Sequence, residues 1–308
     1  HRTHKPGVGG SNPPLATNIN MKLSVVIISF KSDHLLKKLI GNIPKKYEVI
    51  IVENSKLKST KKLEKKFRNV KVIIPDENLG YAKGFNLAYK HCKNNFVLTL
   101  TPDVIIDNKL ILKLEKFISK FKNFTLLAPQ YKNQKIYKNF TPFSNNELKK
   151  NKFKNFDLQK VKEIDWCFCI INKKKMKTFK ILDENFFMYF ETIDLCKQLI
   201  QKNHKFYVIK SLKFDHLGTS SSKKKYNNEI LINRNWHFSW SKFYYFKKHN
   251  NYFYALKKVL PNIYQNFLGI IISILKINTL HLKLHLASLL GVTNSIFLKK
   301  SIYRPNIK

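Results

Sequence analysis

Cysteine is scarce in this sequence, and the spacing of its cysteines argues against two kinds of stabilising site. Among the four residues, at positions 92, 167, 169 and 196, no pair has metal-ligand spacing, so neither a zinc site nor a disulfide framework is expected. Cys167 and Cys169 lie in an apolar run, where successive strand residues point to opposite faces. We therefore predict four buried free thiols in a reducing cytosol.

Acidic residues are also few. The chain has 19 Asp or Glu against 58 Lys or Arg, which gives a formal net charge of +39. Such an excess is typical of proteins that contact nucleic acid, an anionic membrane or acidic substrates. The lysines are spread along the whole chain together with abundant Asn, Ile and Phe, a pattern that a low-GC coding bias also produces. The charge thus supports attraction to a membrane surface without identifying a partner.

A secretory hydrophobic region is absent from the first residues. Residues 1–20 are rich in Pro, Gly, Asn and Ser and have no periodicity, and a strand pattern begins directly after Met21. We predict that residues 1–20 are a disordered leader, native or artificial, that lies outside the fold.

From Met21 onward the chain alternates between strand and helix patterns. The apolar runs Leu23–Phe30, Glu48–Glu53 and Val70–Ile74 predict strands that are covered on both faces, and apolar residues at helical spacing follow the first run. This βαβ order predicts an α/β fold with a doubly wound, mainly parallel sheet.

A carboxylate follows the next strand pattern. The apolar run Phe96–Leu98 ends at Thr101 and Pro102, where proline stops strand pairing. Asp103 is then placed just past the carboxyl end of a central strand, where open α/β sheets bind ligands and metals. Taken alone, the Thr-Pro-Asp segment is better explained as a turn.

A glycine-containing loop at residues 78–86 opens a helix. Gly80 and Gly84 permit close backbone approach, and the N-terminus of the following helix favours an anion. The loop has neither the dinucleotide fingerprint nor the P-loop spacing, so a tight strand-to-helix turn explains it at least as well.

Two carboxylates, Glu191 and Asp194, follow the aromatic run Phe186–Phe190 at the start of a predicted helix. The helix dipole favours negative charge there, and the aromatic side chains would exclude water and raise a carboxyl pKa. Helix capping by acidic residues is a sufficient alternative explanation. Further on, His216 follows the strand pattern Phe206–Ile209 and precedes a polar turn.

In their order and spacing, these motifs resemble those of family 2 glycosyltransferases with the GT-A fold. Rhamnosyltransferase-like enzymes of envelope polysaccharide synthesis give the nearest pattern. The matching segments are Leu23–Phe30, Val52–Ser55, Asn78–Asn86, Leu100–Asp103, Leu182–Cys196 and His216–Ser220.

The resemblance implies inverting transfer of a sugar from a nucleotide-diphosphate sugar to a hydroxyl of an envelope glycan or a lipid-linked acceptor. It places Glu53 at the nucleotide base, Asp103 on Mg²⁺ or Mn²⁺ at the diphosphate, and His216 as a further metal ligand. Such a hard cation prefers carboxylate and phosphate oxygens and offsets charge on the leaving group. The implied nucleotide-sugar site comprises Ser29, Phe30, Glu53, Asn78, Gly80, Lys83, Asn86, Thr101 and Asp103.

Two positions depart from the family pattern. Thr101 replaces the first acid of the Asp-X-Asp element, which leaves Asp103 as its only carboxylate. Thr192 stands where the family's Glu-Asp pair has the aspartate usually taken as general base. Glu191 or Asp194 is then the candidate base, a role that contributes roughly 10²–10⁴-fold to the rate. A catalytically inactive homologue is the alternative.

The sequence thus divides into the leader, a GT-A domain at residues 21–220 and a C-terminal region at residues 221–308. Aromatic and basic residues over Asn233–His249 suit a membrane interface, and also RNA or single-stranded DNA, which is the less favoured partner. Apolar positions continue over Phe267–Leu290, but lysines and histidines leave an uninterrupted stretch too short to span a bilayer. We predict a peripheral helical hairpin on anionic lipid at the inner face of the cytoplasmic membrane, with packing against the catalytic domain as the alternative.

Overall fold

The computed structural model describes residues 22–135, 137–144, 157–176, 178, 180–218, 221 and 223–304. The predicted leader at residues 1–20 lies outside the described residues, as do Thr219 and Ser220 of the last motif.

Among the described residues, ten strands between Leu23 and His216 form one sheet, in the part of the chain predicted to be catalytic and called the catalytic part below. In chain order these are β1 (Leu23–Ser29), β2 (Glu48–Glu53), β3 (Val70–Ile73), β4 (Phe96–Leu100), β5 (Val104–Ile105), β6 (Leu126–Tyr131), β7 (Phe140–Pro142), β8 (Leu158–Ile164), β9 (Phe168–Asn172) and β10 (Phe206–His216). The α-helices of the described residues are α1 (Asp33–Gly41), α2 (Lys62–Lys66), α3 (Gly80–His91), α4 (Asn108–Lys120), α5 (Glu191–Gln201), α6 (Asn227–His249), α7 (Tyr252–Leu275) and α8 (Thr279–Ile296).

The strands follow the order β3-β2-β1-β4-β9-β6-β10-β8-β7, and β5 pairs with β10. Neighbours within β3, β2, β1 and β4 are parallel, as are β6 and β10. β9 is antiparallel to both β4 and β6, so it separates the two parallel groups. The predicted α/β fold with a mainly parallel sheet is confirmed, and the strands that pair antiparallel with their neighbours are β5, β7, β8 and β9.

Each face of the sheet has its own hydrophobic core, as the continuous apolar strands predict. On one face, strand side chains pack with Leu36 of α1 and Ile111 of α4. On the other, they pack with Phe85 of α3 and Cys196 of α5. All four cysteines are buried and free, as predicted, and their location in a reducing cytosol stays a prediction.

The C-terminal region consists of three long helices that pack on one another. α6 also packs on the catalytic part, since the hydroxyl of Ser241 donates to the carbonyl of Met188 at 2.9 Å. The stretch Asn233–His249, which was predicted to suit a membrane interface or a nucleic acid, therefore belongs to a helix that packs on the rest of the chain.

α7 and α8 form the predicted helical hairpin, joined at residues 276–278. α7 has 24 residues, and 11% of its most apolar part is buried. By length and composition it is the one helix of the described residues that is long and apolar enough to cross a membrane. Our expectation of a stretch too short to span is thus wrong for α7, because the apolar residues begin earlier than Phe267.

Candidate active site

A cavity of about 570 Å³ opens where β1 and β4 end. We call it the donor cavity. Ser29 and Phe30 line it at the end of β1, and Thr101 and Asp103 line it after β4. Carboxyl ends of parallel strands are where α/β sheets bind ligands, so these four predicted residues lie where the strand pattern places them.

His216 meets Asp103 because β10 pairs with β5, with His216 opposite Val104 in the ladder. Nε2 of His216 lies 3.1 Å from Oδ1 of Asp103, and Asp103 is only 5% exposed. Burial alone favours the neutral acid, but the adjacent imidazole outweighs it and holds the pKa of Asp103 below its usual range. The same contact raises the pKa of His216 against the effect of burial.

This pair fits a divalent cation. Oδ1 of Asp103 is buried and, despite the nearby His216, accepts no bond with hydrogen-bond geometry. A carboxylate oxygen and an imidazole nitrogen are both ligands that Mn²⁺ accepts, and Mg²⁺ takes the carboxylate. No three His, Cys, Asp or Glu side chains form a cage among the described residues, so two protein ligands are available here.

Glu191 begins α5 and lines the donor cavity, where it is 7% exposed. Its Oε2 is buried without a hydrogen-bond partner in the described part of the chain. Burial raises the pKa of Glu191 to about 7, and the charges of Asp165 and Asp194 add to this. A carboxyl group with such a pKa can accept a proton near neutral pH.

The backbone before Glu191 is strained. Tyr189 and Phe190 both have left-handed φ angles, of +70° and +67°, although neither is glycine. Such conformations cost roughly 1–3 kcal/mol each and persist only where the surroundings impose them. Here the surroundings are aromatic side chains of α6, which makes the position of Glu191 depend on that helix.

α6 contacts every residue of the aromatic run 186–190. Four of these contacts are ring pairs, with centroids 4.3 to 5.8 Å apart, and the fifth is the hydrogen bond from Ser241 to the Met188 carbonyl. The ring pairs are Phe186 with Tyr244, Phe187 with His237, Tyr189 with Phe238, and Phe190 with Tyr245. The C-terminal region therefore positions one wall of the donor cavity.

Gly80 lines the donor cavity, and its lack of a side chain lets the backbone of Phe187, not a ligand, come close to it. With φ at +72°, a Cβ at Gly80 would lie 2.3 Å from the carbonyl oxygen of Phe187. The N–H of Tyr81 donates to that same oxygen at 2.7 Å. Asn78 also lines the cavity, and its Oδ1 accepts from the N–H of Gly80. The loop thus seats the aromatic run, a role that its glycine spacing alone did not predict.

Glu53 lies behind the cavity wall. It is fully buried, and its carboxylate accepts hydrogen bonds from the hydroxyl of Ser29 at 2.7 Å and the N–H of Ser55 at 2.8 Å. Burial raises the pKa of Glu53, although these hydrogen bonds oppose the rise. We expected Glu53 to contact the nucleotide. Because its carboxylate oxygens are already hydrogen-bonded, Glu53 instead holds the side chain of Ser29 in place.

Asp194 is also corrected. It is 1% exposed and is not among the residues that line the donor cavity. Its Oδ2 accepts from Lys248 at 2.8 Å and Gln198 at 2.7 Å, and its Oδ1 lies 2.7 Å from Nε2 of His249. Because both oxygens are occupied, Asp194 joins α5 to α6 and does not fit the role of base.

Lys83 and Asn86 lie outside the donor cavity, contrary to expectation. Asn86 is buried, donates to the carbonyl of Leu182 at 2.8 Å and accepts from the N–H groups of Ile181 and Leu182. It fixes the loop that precedes the aromatic run, whereas Lys83 lines a different cavity.

Asp165 is a further acid of the donor cavity that was not predicted from the sequence. This residue sits between β8 and β9, and its side chain is accessible within the donor cavity. Oδ1 accepts from the N–H of Cys167 at 2.9 Å, and the hydroxyl of Tyr137 donates to Oδ2. Enclosure raises the pKa of Asp165 despite the Cys167 bond. Its position in the sequence gives little signal, because the strand before it, β8, is mostly polar and contains another acid, Glu163.

Two residues of α6, Asn233 and Arg234, were also missed as parts of the site. Both line the donor cavity, and Oδ1 of Asn233 is buried without a hydrogen-bond partner among the described residues. Both residues begin the stretch Asn233–His249, for which we predicted contact with a membrane interface or a nucleic acid. The basic and aromatic composition of that stretch gave no sign that its first residues line the donor cavity.

The family is decided by a match to residues 24–179, just over half of the chain, by the model for glycosyl transferase family 2. The chain belongs to glycosyl transferase family 2. A curated relative is the low-salt glycan biosynthesis hexosyltransferase of Haloferax volcanii, which is 26% identical over 195 residues. The alignment covers 59% of this family 2 chain, which spans 62% of the length of that relative.

Solved structures share the fold of this family 2 chain. The mannosyltransferase PcManGT from Pyrobaculum calidifontis, in complex with GDP-Man and Mn²⁺, has a TM-score of 0.54 at 11% identity, covering 94% of this chain and 92% of that one. TarS 1-349 from S. aureus, in complex with UDP, has a TM-score of 0.51 at 16% identity, with coverages of 92% and 94%. The predicted GT-A fold is confirmed.

Proposed function

We propose that this protein transfers a sugar from a nucleotide-diphosphate sugar to an acceptor hydroxyl, with inversion at the anomeric carbon and with a divalent cation. The observation that carries this proposal is the convergence on one cavity of the Asp103–His216 pair and of Glu191, whose Oε2 has no hydrogen-bond partner among the described residues. Family membership supports the reaction class. Neighbours in complex with GDP-Man and Mn²⁺ or with UDP support the donor and the cation.

Asp103 and His216 are the residues that would hold Mg²⁺ or Mn²⁺. Such a cation, when bound, neutralises negative charge on the leaving diphosphate. Arg234 lines the same cavity from α6 and adds a permanent positive charge that attracts phosphate oxygens.

Glu191 acts as the general base. Oε2 of Glu191 accepts the proton of the acceptor hydroxyl. At the same time the hydroxyl oxygen of the acceptor bonds to the anomeric carbon, and the bond between that carbon and the diphosphate oxygen breaks. Thr192 cannot take this proton at neutral pH, and the oxygens of Asp194 are occupied by Lys248, Gln198 and His249. Two further acids line the cavity, Asp165 and Glu163. Asp165 is held by Tyr137 and Cys167, and Oε2 of Glu163 accepts from the hydroxyl of Thr141 at 2.7 Å.

For the finer chemistry, we propose a hexose or deoxyhexose donor, rhamnose included, and an envelope glycan or a lipid-linked acceptor. The hexosyltransferase relative of glycan biosynthesis supports the donor class, and the motif pattern supports the rhamnosyl variant.

We also propose that the protein is peripheral at the inner face of the cytoplasmic membrane, held by the α7–α8 hairpin. Phe253, Leu275 and Ile277 are 80%, 78% and 86% exposed, and other large apolar side chains of α7 are exposed between them. After Glu229 the remaining 79 residues contain twelve Lys or Arg and no Asp or Glu. An apolar surface flanked only by cations complements an anionic lipid surface.

Thermal unfolding with a panel of nucleotide-diphosphate sugars, each with and without Mn²⁺, tests the proposed function. A ligand that binds only the folded state raises the melting temperature by mass action. We expect one donor to raise it with Mn²⁺, the effect to be lost in Asp103→Asn, and the exposed control Asp76→Asn to behave as wild type. Absence of a response to any donor would overturn the proposal.

A further inference from the structure

A second cavity, of about 740 Å³, lies between the catalytic part and the C-terminal helices. We call it the basic cavity. Its walls come from the loop before α3, the loop before the aromatic run, α6 and the residues after α8. Its cationic lining residues are Lys83, Lys180, Lys247, Lys299, Lys300 and Arg304.

The acids in this cavity already have cationic partners. Oδ2 of Asp183 lies 2.7 Å from Nζ of Lys248, and this contact lowers the pKa of Asp183 against the effect of burial. Glu184 pairs with Lys180 at 3.4 Å. These two carboxylates therefore leave the other cations of the cavity uncompensated.

The third acid, Glu77, interacts with Arg304, whose guanidinium lies 3.9 Å from the ring centroid of Phe187. Four lysines of the cavity make no ion pair within the described part of the chain. They are Lys83, Lys247, Lys299 and Lys300. Four ammonium groups around one concave surface attract a multiply charged anion, and phosphate accepts hydrogen bonds from all of them.

The remaining surface of the cavity is apolar. Trp240 and Tyr244 line it from α6, and Leu298 and Ile302 line it from the C-terminal residues. Leu298 and Ile302 are 61% and 68% exposed, so apolar surface continues from the cavity to its outside. A ligand that matches both features carries a phosphate and an apolar chain.

The basic cavity shares a wall with the donor cavity. Phe187 lines both, and Leu79 faces the basic cavity while its neighbour Gly80 faces the donor cavity. Phe187 is fixed between Gly80 and the ring of His237, whose centroid is 4.3 Å away. A phosphate in one cavity and a sugar in the other are therefore separated by one aromatic residue.

We propose that the basic cavity binds the phosphate or diphosphate group of a lipid-linked acceptor, with Lys83, Lys247, Lys299 and Lys300 as its cationic contacts. The identity of this ligand as the acceptor rests on the proposed function. Binding of a phosphate group rests on the cavity alone.

Inorganic pyrophosphate in the presence of EDTA is the probe for the cavity, because the donor cavity is expected to need a cation. We expect calorimetry to show binding that is unchanged in Asp103→Asn. The double variant Lys247→Gln/Lys300→Gln should weaken it by about tenfold or more, since each lost charged contact has a large effect. The control Lys113→Gln/Lys116→Gln carries the same charge change on exposed residues of α4 and should bind as wild type.

Lack of pyrophosphate binding, or equal weakening by the control, would overturn the basic cavity as a phosphate site. Neither result affects Mn²⁺-dependent stabilisation by a nucleotide-diphosphate sugar, which tests the proposed function separately.

Vesicles distinguish a lipid phosphate from a free one. Phosphatidylcholine vesicles with a polyprenyl diphosphate should displace pyrophosphate from the wild type, whereas vesicles of equal charge with phosphatidylglycerol should not, because only the former present a diphosphate on an apolar chain. If pyrophosphate binds but the polyprenyl diphosphate vesicles leave it bound, the cavity takes a soluble phosphate and the lipid-linked acceptor is excluded.

Discussion

Two regions of the molecule supply the donor cavity by different means. The sheet brings Asp103 and His216 together through backbone pairing of β5 with β10. The C-terminal helix α6 instead acts through side chains, by packing its rings on the aromatic run before Glu191. Backbone pairing is insensitive to most single substitutions, whereas ring packing is lost with one side chain. We therefore expect the two halves of the site to respond differently to mutation.

The largest effect is expected in the half that the sheet supplies. Asp103→Asn removes the carboxylate that would hold the cation, and loss of cation chemistry costs several kcal/mol of transition-state stabilisation. Transfer should fall by about 10³-fold or more while the melting temperature without ligand stays near wild type. Asp76→Asn is the matched control, and wild-type transfer by Asp103→Asn at limiting Mn²⁺ would show that Asp103 is not a metal ligand.

Glu191 is placed by the helical half, and Glu191→Gln should lower single-turnover transfer by about 10²–10⁴-fold with little change in donor affinity. Because burial raises the pKa of Glu191 to about 7, the wild-type rate should fall as pH falls through 7. Asp165→Asn is the comparison, since Asp165 is another carboxylate of the cavity. Retention of this pH dependence in Glu191→Gln, together with its loss in Asp165→Asn, would move the base to Asp165. Thr192→Asp restores the family residue, and a higher rate in that variant would identify the present chain as a weakened enzyme.

The same raised pKa predicts a change in stability. The folded state holds a proton on Glu191 up to about pH 7, whereas the unfolded state releases it near pH 4.3, so stability falls as pH rises between these values. Glu191→Gln should therefore raise the melting temperature at pH 8 more than at pH 5. If Glu191→Gln changes the melting temperature by the same amount at pH 8 and at pH 5, the carboxyl group of Glu191 is not desolvated.

Membrane attachment can be separated from catalysis at the tip of the hairpin. Lys276→Gln/Lys283→Gln should weaken binding to anionic vesicles by roughly 30-fold, at about 1 kcal/mol per charge, and leave transfer to a soluble acceptor unchanged. The Lys113→Gln/Lys116→Gln pair controls for net charge. Deletion of residues 221–308 is a poorer test because it also removes α6 from the donor cavity. Equal vesicle binding by both pairs would argue against the hairpin as the attachment site.

A smaller effect is expected at the junction between the two regions. Lys248→Gln leaves the buried oxygen of Asp194 without its cation, which should lower the free energy of unfolding by about 1–3 kcal/mol. Chemical denaturation measures this, with Lys247→Gln as the control on the neighbouring residue. An unchanged midpoint would show that the contact does not hold α5 to α6.

The residues of the site that lie at the carboxyl ends of strands could be predicted from the sequence. Apolar runs identify the strands, and the residues that follow parallel strands meet at one edge of the sheet. Asp103 and the cavity contacts of Ser29 and Phe30 follow from this rule. The contacts of Arg234 and the occupied oxygens of Asp194 could not be predicted, since they depend on how α6 docks on the catalytic part. Basic and aromatic composition suits a membrane, a nucleic acid and a protein core alike, so Asn233–His249 gave no unique answer.

We infer that α6 positions the proposed base, Glu191, through its packing on the aromatic run. Phe238 contacts Tyr189 and Phe190, does not line the donor cavity, and can be compared with Phe253, an exposed phenylalanine of the hairpin. Single-turnover transfer by Phe238→Ala and Phe253→Ala is the most direct test once a donor is known. We predict that Phe238→Ala slows transfer by about tenfold with unchanged donor affinity, since ring pairs contribute about 0.5–1.5 kcal/mol each. Phe253→Ala should react as wild type, and equal wild-type rates for both variants would contradict this inference.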